Sequence, residues 1–362
     1  MSGENFFNNS KLKIKPSLQE LELSVFGRGF GECIILSCGN NDFIVVDSFV
    51  NPETNQPIAL DYIKAIGLQP SAIKQVIVTH WHQDHIEGLV NMLEEIGNGV
   101  TVILNPIISK DRFNEYISVS VALRNEKVRE FTKLCKYIKE NKIKVLYAMQ
   151  DKRLFSNELF GSAELIALSP QDDELSKYLN SIILPEPGKP NSLPYMNENM
   201  FSIVLLAKYA HNGIILGSDL EISNIYNGWK AIVDNYTHSS CKPSVIKVAH
   251  HGSENGYYDP LWKNIMDKEP ISVVTAFNKG YKLPKDADID RIKTLSKEVY
   301  LAGNKTKKDR DLKNKVGKIN PNIQLETISC ALGLVRYRRN IKNLDASPLI
   351  ETFGAVKRFT KD

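Results

Sequence analysis

The stretch Gln75-Val76-Ile77-Val78-Thr79-His80-Trp81-His82-Gln83-Asp84-His85 decides the reading of this chain: an apolar run of strand character ends in four side chains able to bind a metal. After it, Ile86, Leu89, Met92, Leu93 and Ile96 recur at helical spacing, so the polar cluster falls on a strand-to-helix loop. A loop lets His80, His82, Asp84 and His85 converge, whereas a strand sends alternate side chains to opposite faces. The whole chain holds only 7 histidines, which makes chance clustering a poor explanation. Imidazole nitrogen and carboxylate oxygen suit zinc, manganese or iron, and the absence of a thiolate separates this cluster from sulfur-rich structural zinc sites.

Reading outward, three β-like runs at 21–26, 33–38 and 42–48, separated by glycine- and asparagine-rich turns, predict an antiparallel meander. A helical pattern follows at 57–67. Residues 108–142 interleave Phe113, Tyr116, Val119, Val121, Phe131, Leu134 and Ile138 with Lys, Arg and Glu, which predicts a helical insertion or lid. Strands are expected at about 144–148, 163–168, 201–209 and 213–218, the last two joined by a turn at His211-Asn212-Gly213. Helices at 221–234, 259–266 and 286–296 then alternate with strands at 244–249, 271–276 and 298–301, in the α/β manner. The lysine-rich segment 304–318 reads as an exposed loop, and a last strand is expected near 324–337. One large domain over 1–340 and a polar tail over 341–362 complete the expectation.

Two further clusters bear on a metal centre. Asp219 closes the apolar run Gly213-Ile214-Ile215-Leu216-Gly217-Ser218-Asp219, where a carboxylate at a strand end can bridge two cations about 3.5–4 Å apart. Taken alone, such an aspartate is more often the cap of a helix, here one over 221–234. His250-His251-Gly252-Ser253 follows the strand-like 244–249. Adjacent histidines point in different directions, so one of the pair binds metal and the other contacts substrate or supports the site, with His250 slightly favoured as the ligand. Lys247 and Ser253 are candidate substrate contacts. Lys305, Lys307, Lys308, Arg310, Arg336, Arg338 and Arg339 offer contacts to phosphate, or simply solvated surface. His211 is set aside because its turn setting explains it.

Composition narrows the class. With 362 residues, 42% hydrophobic and 24% charged, the chain matches globular domains rather than disordered or membrane-spanning ones. A formal charge of +4 falls short of the basic balance of a dedicated nucleic-acid-binding domain. The 5 cysteines form no CxxC pair and suit reduced thiols better than a disulfide framework. Neither a signal-like apolar run nor a bilayer-length segment is evident, so a soluble cytoplasmic protein without membrane association is expected.

The motif set resembles the metallo-β-lactamase superfamily, whose HxHxDH pattern is matched by His80, His82, Asp84 and His85. Asp47 resembles the family's early aspartate, which supports the metal loop, and Asp219 resembles its bridging aspartate. GRGFGECIIL (27–36), LGSDLE (216–221) and IKVAHHGS (246–253) are most similar to the hydrolase domain of the DNA-uptake competence proteins, the ComEC type, and their stand-alone relatives, over about residues 20–300. The resemblance implies a four-layer αββα sandwich of the α/β class with metals at one edge. It further implies one or two divalent ions, zinc or manganese, and hydrolysis of a phosphodiester or nucleic acid, with Asp84 orienting the attacking water and His250 and His251 at the reacting centre. The superfamily usually adds a histidine between HxHxDH and the bridging aspartate. Here, as in the ComEC-type branch, the polar stretch 197–202 stands instead, which implies a weakly held or absent first metal. Glu87 stands where many relatives have glycine, altering the helix start or placing a carboxylate near the site. Hydrolysis of a small-molecule ester, lactone or β-lactam, or a binding subunit with a vestigial metal site, are the alternatives.

Overall fold

Alternating apolar residues in the opening strands define two layers at once. Leu21, Leu23, Val25, Ile34, Leu36, Ile44 and Val46 pack into one core, while Phe26, Cys33, Ile35, Phe43 and Val45 pack into another on the opposite face. The computed structural model describes residues 6–125, 128–184, 196–222, 228–279, 281–303, 332–344 and 346–361. In chain order the first half contains β1 (Glu20–Gly27), β2 (Glu32–Ser37), β3 (Phe43–Val46), α1 (Ile58–Ala65), β4 (Ile73–Ile77), α2 (Gln83–Ile86), α3 (Leu89–Ile96), β5 (Thr101–Leu104), α4 (Asp111–Ala122), α5 (Arg129–Glu140) and β6 (Lys144–Tyr147). The second half contains β7 (Arg153–Asn157), β8 (Ala163–Ala167), α6 (Asp172–Ser181), β9 (Leu205–Tyr209), β10 (Asn212–Leu216), α7 (Trp229–Asp234), β11 (Lys242–Lys247), β12 (Ile271–Thr275), α8 (Asp286–Leu295) and β13 (Glu298–Ala302). Three strands end the chain: β14 (Gly333–Asn340), β15 (Leu349–Gly354) and β16 (Val356–Thr360).

Two eight-stranded sheets result, ordered β15-β14-β1-β2-β3-β4-β5-β6 and β16-β13-β12-β11-β10-β9-β8-β7. Each contains one parallel block, β3 to β6 and β10 to β13. One core joins the sheets face to face; a second packs α1 and α3 to α6 on the first sheet, and a third packs α7 and α8 on the second. The architecture is thus the four-layer αββα sandwich of the metallo-β-lactamase fold. In parallel sheets, binding residues collect beyond the carboxyl ends of strands. Here Asp47 follows β3, the histidine loop follows β4, Asp219 follows β10, and His250 and His251 follow β11.

Several expectations are corrected. Residues 341–362 are not a tail: β15 pairs with β14 in the first sheet and β16 with β13 in the second, so the C-terminus closes both sheets. The expected helix over 221–234 is described only as α7, which begins at Trp229. The hairpin turn is Ala210-His211, because Tyr209 already pairs with Asn212. Arg336 and Arg338 face no solvent. They lie on β14, buried between β1 and β15, where Arg336 binds Glu351 and the Lys11 and Leu12 carbonyls and Arg338 binds Glu22. Arg339 is half-buried and donates to the Leu344 carbonyl. The segment 304–318, with Lys305, Lys307, Lys308 and Arg310, lies outside the described residues, as does the first part of the strand expected at 324–337. Among the described residues, no helix is long and apolar enough to cross a membrane.

Candidate metal centre

The structure brings together Asp84, His85, Asp219 and His251, all buried, with ligand atoms within 4.8 Å of one another. His85 Nε2 lies 3.7 Å from Asp84 Oδ2 and 3.4 Å from Asp219 Oδ2; His251 Nε2 lies 3.6 Å and 3.5 Å from the same two oxygens. These separations are longer than a charge-assisted hydrogen bond, about 2.7–2.9 Å. They match the edges of a tetrahedron with bonds of about 2.0–2.2 Å, which are about 3.3–3.6 Å long.

Hydrogen bonds behind the rings aim the nitrogens inward. His85 Nδ1 lies 2.7 Å from Asp47 Oδ2, and His251 Nδ1 lies 3.0 Å from the Thr275 carbonyl. Both acceptors fix a hydrogen on Nδ1, so that in the neutral rings the lone pair is the one on Nε2, turned into the cluster. Neither Nε2, nor Asp219 Oδ1, finds a hydrogen-bond partner among the described residues, so the donor set fits a divalent cation. Burial alone would lower His85, but the carboxylates of Asp219, Asp47 and Asp84 outweigh it and hold the imidazole well above its ordinary range. Burial likewise works against ionised Asp219, yet His251 and His85 hold its carboxyl well below the usual range. Asp47 is pushed up by complete burial against the pull of His85. Its contacts, two from Thr79 at 2.8 and 2.7 Å and one from His85, favour the ionised form all the same.

His80 and His82 form a second, adjacent pair, with His80 Nε2 3.1 Å from His82 Nδ1. Burial, with His85 and His82 nearby, keeps His80 well below its ordinary range and therefore neutral. Between the two, Trp81 is buried against Phe113 of α4, Phe131 of α5 and Phe201, with ring centroids 4.9, 5.5 and 5.5 Å away. The helical insertion is thus a packing support for the metal loop as well as a cavity wall.

His251, not His250, joins the quartet, which reverses the slight preference read from the sequence. The reason is that His250 has both nitrogens engaged: Nε2 lies 3.3 Å from Asn199 Nδ2, and Nδ1 faces Asn255 Oδ1 at 3.0 Å and Glu221 Oε1 at 3.1 Å. Ser253 supports this arrangement, with Oγ 3.0 Å from His250 Nδ1, and does not line the metal cavity. Lys247 is fully buried, pairs with Glu32 and donates to the Ser218 carbonyl at 3.0 Å, so it underlies the centre instead of meeting substrate. Among the described residues Asp219 caps no helix: α7 starts ten residues later, behind Gly228. Glu87 pairs with Arg28, and Gly88 takes the left-handed position at the helix start, φ 79°, where a side chain would meet Val50. His211 is exposed at its turn. Asp47, Ser218, His250 and His251 all have positive φ, from 45° to 60°, backbone strain concentrated where strands feed the cluster.

The quartet opens on a cavity of about 430 Å³. Its wall includes residues that the sequence reading missed or left without a role: Phe30, Glu198, Asn199, Phe277, Lys279 and Tyr281. Phe277, Lys279 and Tyr281 follow β12, the next parallel strand after β11, and their position beyond its carboxyl end was the available signal. Glu32, also missed, joins β2 of one sheet to Lys247 and Thr275 of the other.

A sequence model of the metallo-beta-lactamase superfamily matches residues 26–107, the segment that holds Asp47 and all of His80 to His85. Together with the strand order, this supports membership of that superfamily. The chain is similar to the metallo-beta-lactamase fold protein YhfI of Bacillus subtilis, at 10% identity over 78% of this chain and 96% of that one, TM-score 0.43. It is also similar to MEM-A1, a subclass B3 metallo-beta-lactamase from a soil metagenome library, at 12% identity over 66% and 80%, TM-score 0.34. The architecture rests on the chain's own strand order and not on these likenesses. Fold and site together are those of the metallo-β-lactamase fold, with a His/Asp cluster suited to a divalent metal.

Proposed function

We propose that the protein is a phosphodiesterase or nuclease that cleaves a nucleotide-like phosphodiester with one or two zinc or manganese ions. The observation that carries this reading is the lining of the cavity mouth. A run of rings leads outward from the quartet, with Phe277 5.2 Å from the His251 ring, Tyr281 5.6 Å from Phe277 and Phe30 5.7 Å from Phe277. Lys279 Nζ lies 4.2 Å above the Phe30 ring, so a cation stands beside the aromatic platform. Aromatic faces with an adjacent cation suit a base and its phosphate, stacking of a base on a ring alone contributing about 1–3 kcal/mol.

A divalent ion bound by such ligands supplies Lewis acidity and lowers the pKa of water from about 15.7 toward about 7. The chain's own part is to fix that chemistry in place. Asp84 stays ionised because, against its burial, His85 and His251 draw its pKa down; its carboxylate can thus accept a hydrogen bond from the attacking water and orient it. Asp47 and Thr275 hold the two rings, and Lys279 and Tyr281 hold the substrate.

Screening the metal-supplemented protein against bis-p-nitrophenyl phosphate, cyclic nucleotides, single-stranded DNA and RNA, beside ester, lactone and β-lactam substrates, tests this. Manganese-stimulated cleavage of a phosphodiester is expected; a fully metal-loaded preparation that cleaves none refutes it. The second reading, a small-molecule esterase or lactamase, is favoured by Arg129 and Glu130 of α5 on the cavity wall, which enclose a volume typical of small-ligand pockets. Cleavage only in the ester, lactone or β-lactam arm decides for it. No cleavage in either arm leaves the binding-subunit reading. Free thiols at Cys33, Cys38, Cys135 and Cys241 are consistent with the cytoplasmic location that forms part of this proposal.

A further inference from the structure

His80 and His82 turn two lone pairs toward each other. Thr79 has one hydroxyl hydrogen and gives it to Asp47 Oδ2 at 2.7 Å, so its oxygen accepts from His80 Nδ1 at 3.1 Å. His80 Nε2 is therefore the bare nitrogen. His82 Nε2 faces the Glu198 carboxylate at 3.3 Å and carries the hydrogen there, which leaves His82 Nδ1 bare as well. Two bare acceptors 3.1 Å apart repel each other unless a proton or a metal cation lies against both. Tyr116, reaching from α4 to Glu198 Oε1 at 3.4 Å, helps to hold this orientation.

Asn199 lines the same cavity as His82 and directly follows Glu198, the partner of the His82 ring. Its Nδ2 lies 2.7 Å from Glu221 Oε1, and since a carboxylate only accepts, this contact fixes which end of the amide is nitrogen. Its Oδ1 remains, on a side chain 8% exposed, sealed from solvent and without a hydrogen-bond donor among the described residues. An unsatisfied buried carbonyl costs about 1–3 kcal/mol, so the orientation imposed by Glu221 and by His250 Nε2, 3.3 Å from the same Nδ2, calls for a partner.

We propose that Asn199 Oδ1 is a ligand of a first cation held by His80 Nε2 and His82 Nδ1, distinct from the cation of the Asp84, His85, Asp219 and His251 quartet. This deepens the metal-centre reading above and rests on it. Glu198 and His250 act as positioning residues, the first for His82 and the second for Asn199. A neutral amide oxygen in place of a third imidazole makes the site harder and weaker, and shifts its preference from zinc toward manganese relative to an all-nitrogen site.

Calorimetric titration of the metal-free full chain with Mn²⁺ and with Zn²⁺, with elemental analysis of the loaded protein, tests the assignment. The wild type should bind two ions of unequal affinity. Asn199→Leu should keep the tighter ion unchanged and bind the weaker one about 10- to 100-fold less well. His82→Ala should lose that same ion, and the two substitutions together should lose no more than His82→Ala alone. If the leucine variant fails to fold, Asn199→Ser, whose oxygen falls one bond short of the Oδ1 position, should show the same selective loss. Wild-type affinity for both ions in a folded Asn199 variant, or a single ion in the wild type, overturns the role of Asn199 and leaves the quartet standing. No ion in the wild type overturns the metal-centre reading itself.

Discussion

His85 Nδ1 sits 2.7 Å from Asp47 Oδ2, at the point where the ends of β3 and β4 meet, with both side chains almost fully buried. Thr79 adds its backbone N–H and its hydroxyl to the same carboxylate, so one buried aspartate sets the loop, the ring and the tautomer together. The positive φ of Asp47 is the local cost of bringing the carboxylate under the loop.

Asp47→Asn should therefore weaken metal binding by about 10- to 100-fold with a much smaller effect on folding. The amide cannot offer oxygen to both the Thr79 N–H and His85 Nδ1. If its nitrogen faces His85, the ring hydrogen moves to Nε2 and blocks the ligand lone pair; if it faces Thr79, a buried N–H loses its acceptor. Competition with a chromogenic chelator measures the affinity, and an unchanged value would refute the tautomer argument.

Lys247 and Glu32 form a buried ion pair across the two sheets beneath the centre. Lys247→Met strands the Glu32 carboxylate, and chemical denaturation should show a loss of about 3–5 kcal/mol. Adding Glu32→Met should restore most of it, because the uncompensated charge is gone. Equal destabilisation in the single and double variants would mean that packing, not charge, dominates there.

Lys279→Ala and Tyr281→Ala should raise KM for a dinucleotide phosphodiester while leaving kcat nearly unchanged, since both residues stand at the mouth and away from the quartet. For a chromogenic diester without a base, Tyr281→Ala should have little effect. A fall in kcat with KM unchanged would move these residues from substrate binding to the chemistry.

The metal loop, the two opening core faces and the α/β alternation are legible in the sequence because periodicity and ligand spacing are local signals. The choice of His251 over His250 is not, since it depends on Asn199, Asn255 and Glu221, which come from separate loops. The same holds for Lys247 and for Arg336 and Arg338: a cation in an apolar strand reads as a surface contact until its partners, Glu32, Glu351 and Glu22, are seen across a sheet or between sheets. The polar look of residues 341–362 misleads for a related reason. β15 and β16 are edge strands, whose exposed faces carry the polarity while their backbones pair with β14 and β13.

Metal-free and metal-loaded protein should respond to pH in opposite directions. Without metal, burial disfavours the charged imidazoles, but Asp219, Asp47 and Asp84 raise His85, and Asp219 with Asp84 raises His251. Because both folded-state values lie above the unfolded value of about 6.5, the stabilisation is complete below that pH and is lost as pH climbs through the folded-state values. A cation needs the same Nε2 atoms unprotonated, so its binding releases protons and strengthens as pH rises. Thermal melts of chelator-treated protein should accordingly show Tm falling from about pH 6 to about pH 9, while the gap between loaded and metal-free samples widens. Replacing His85 and His251 together by Gln should flatten the metal-free profile. A gap that stays constant across this range would show that these imidazoles are not the groups a cation and a proton contest.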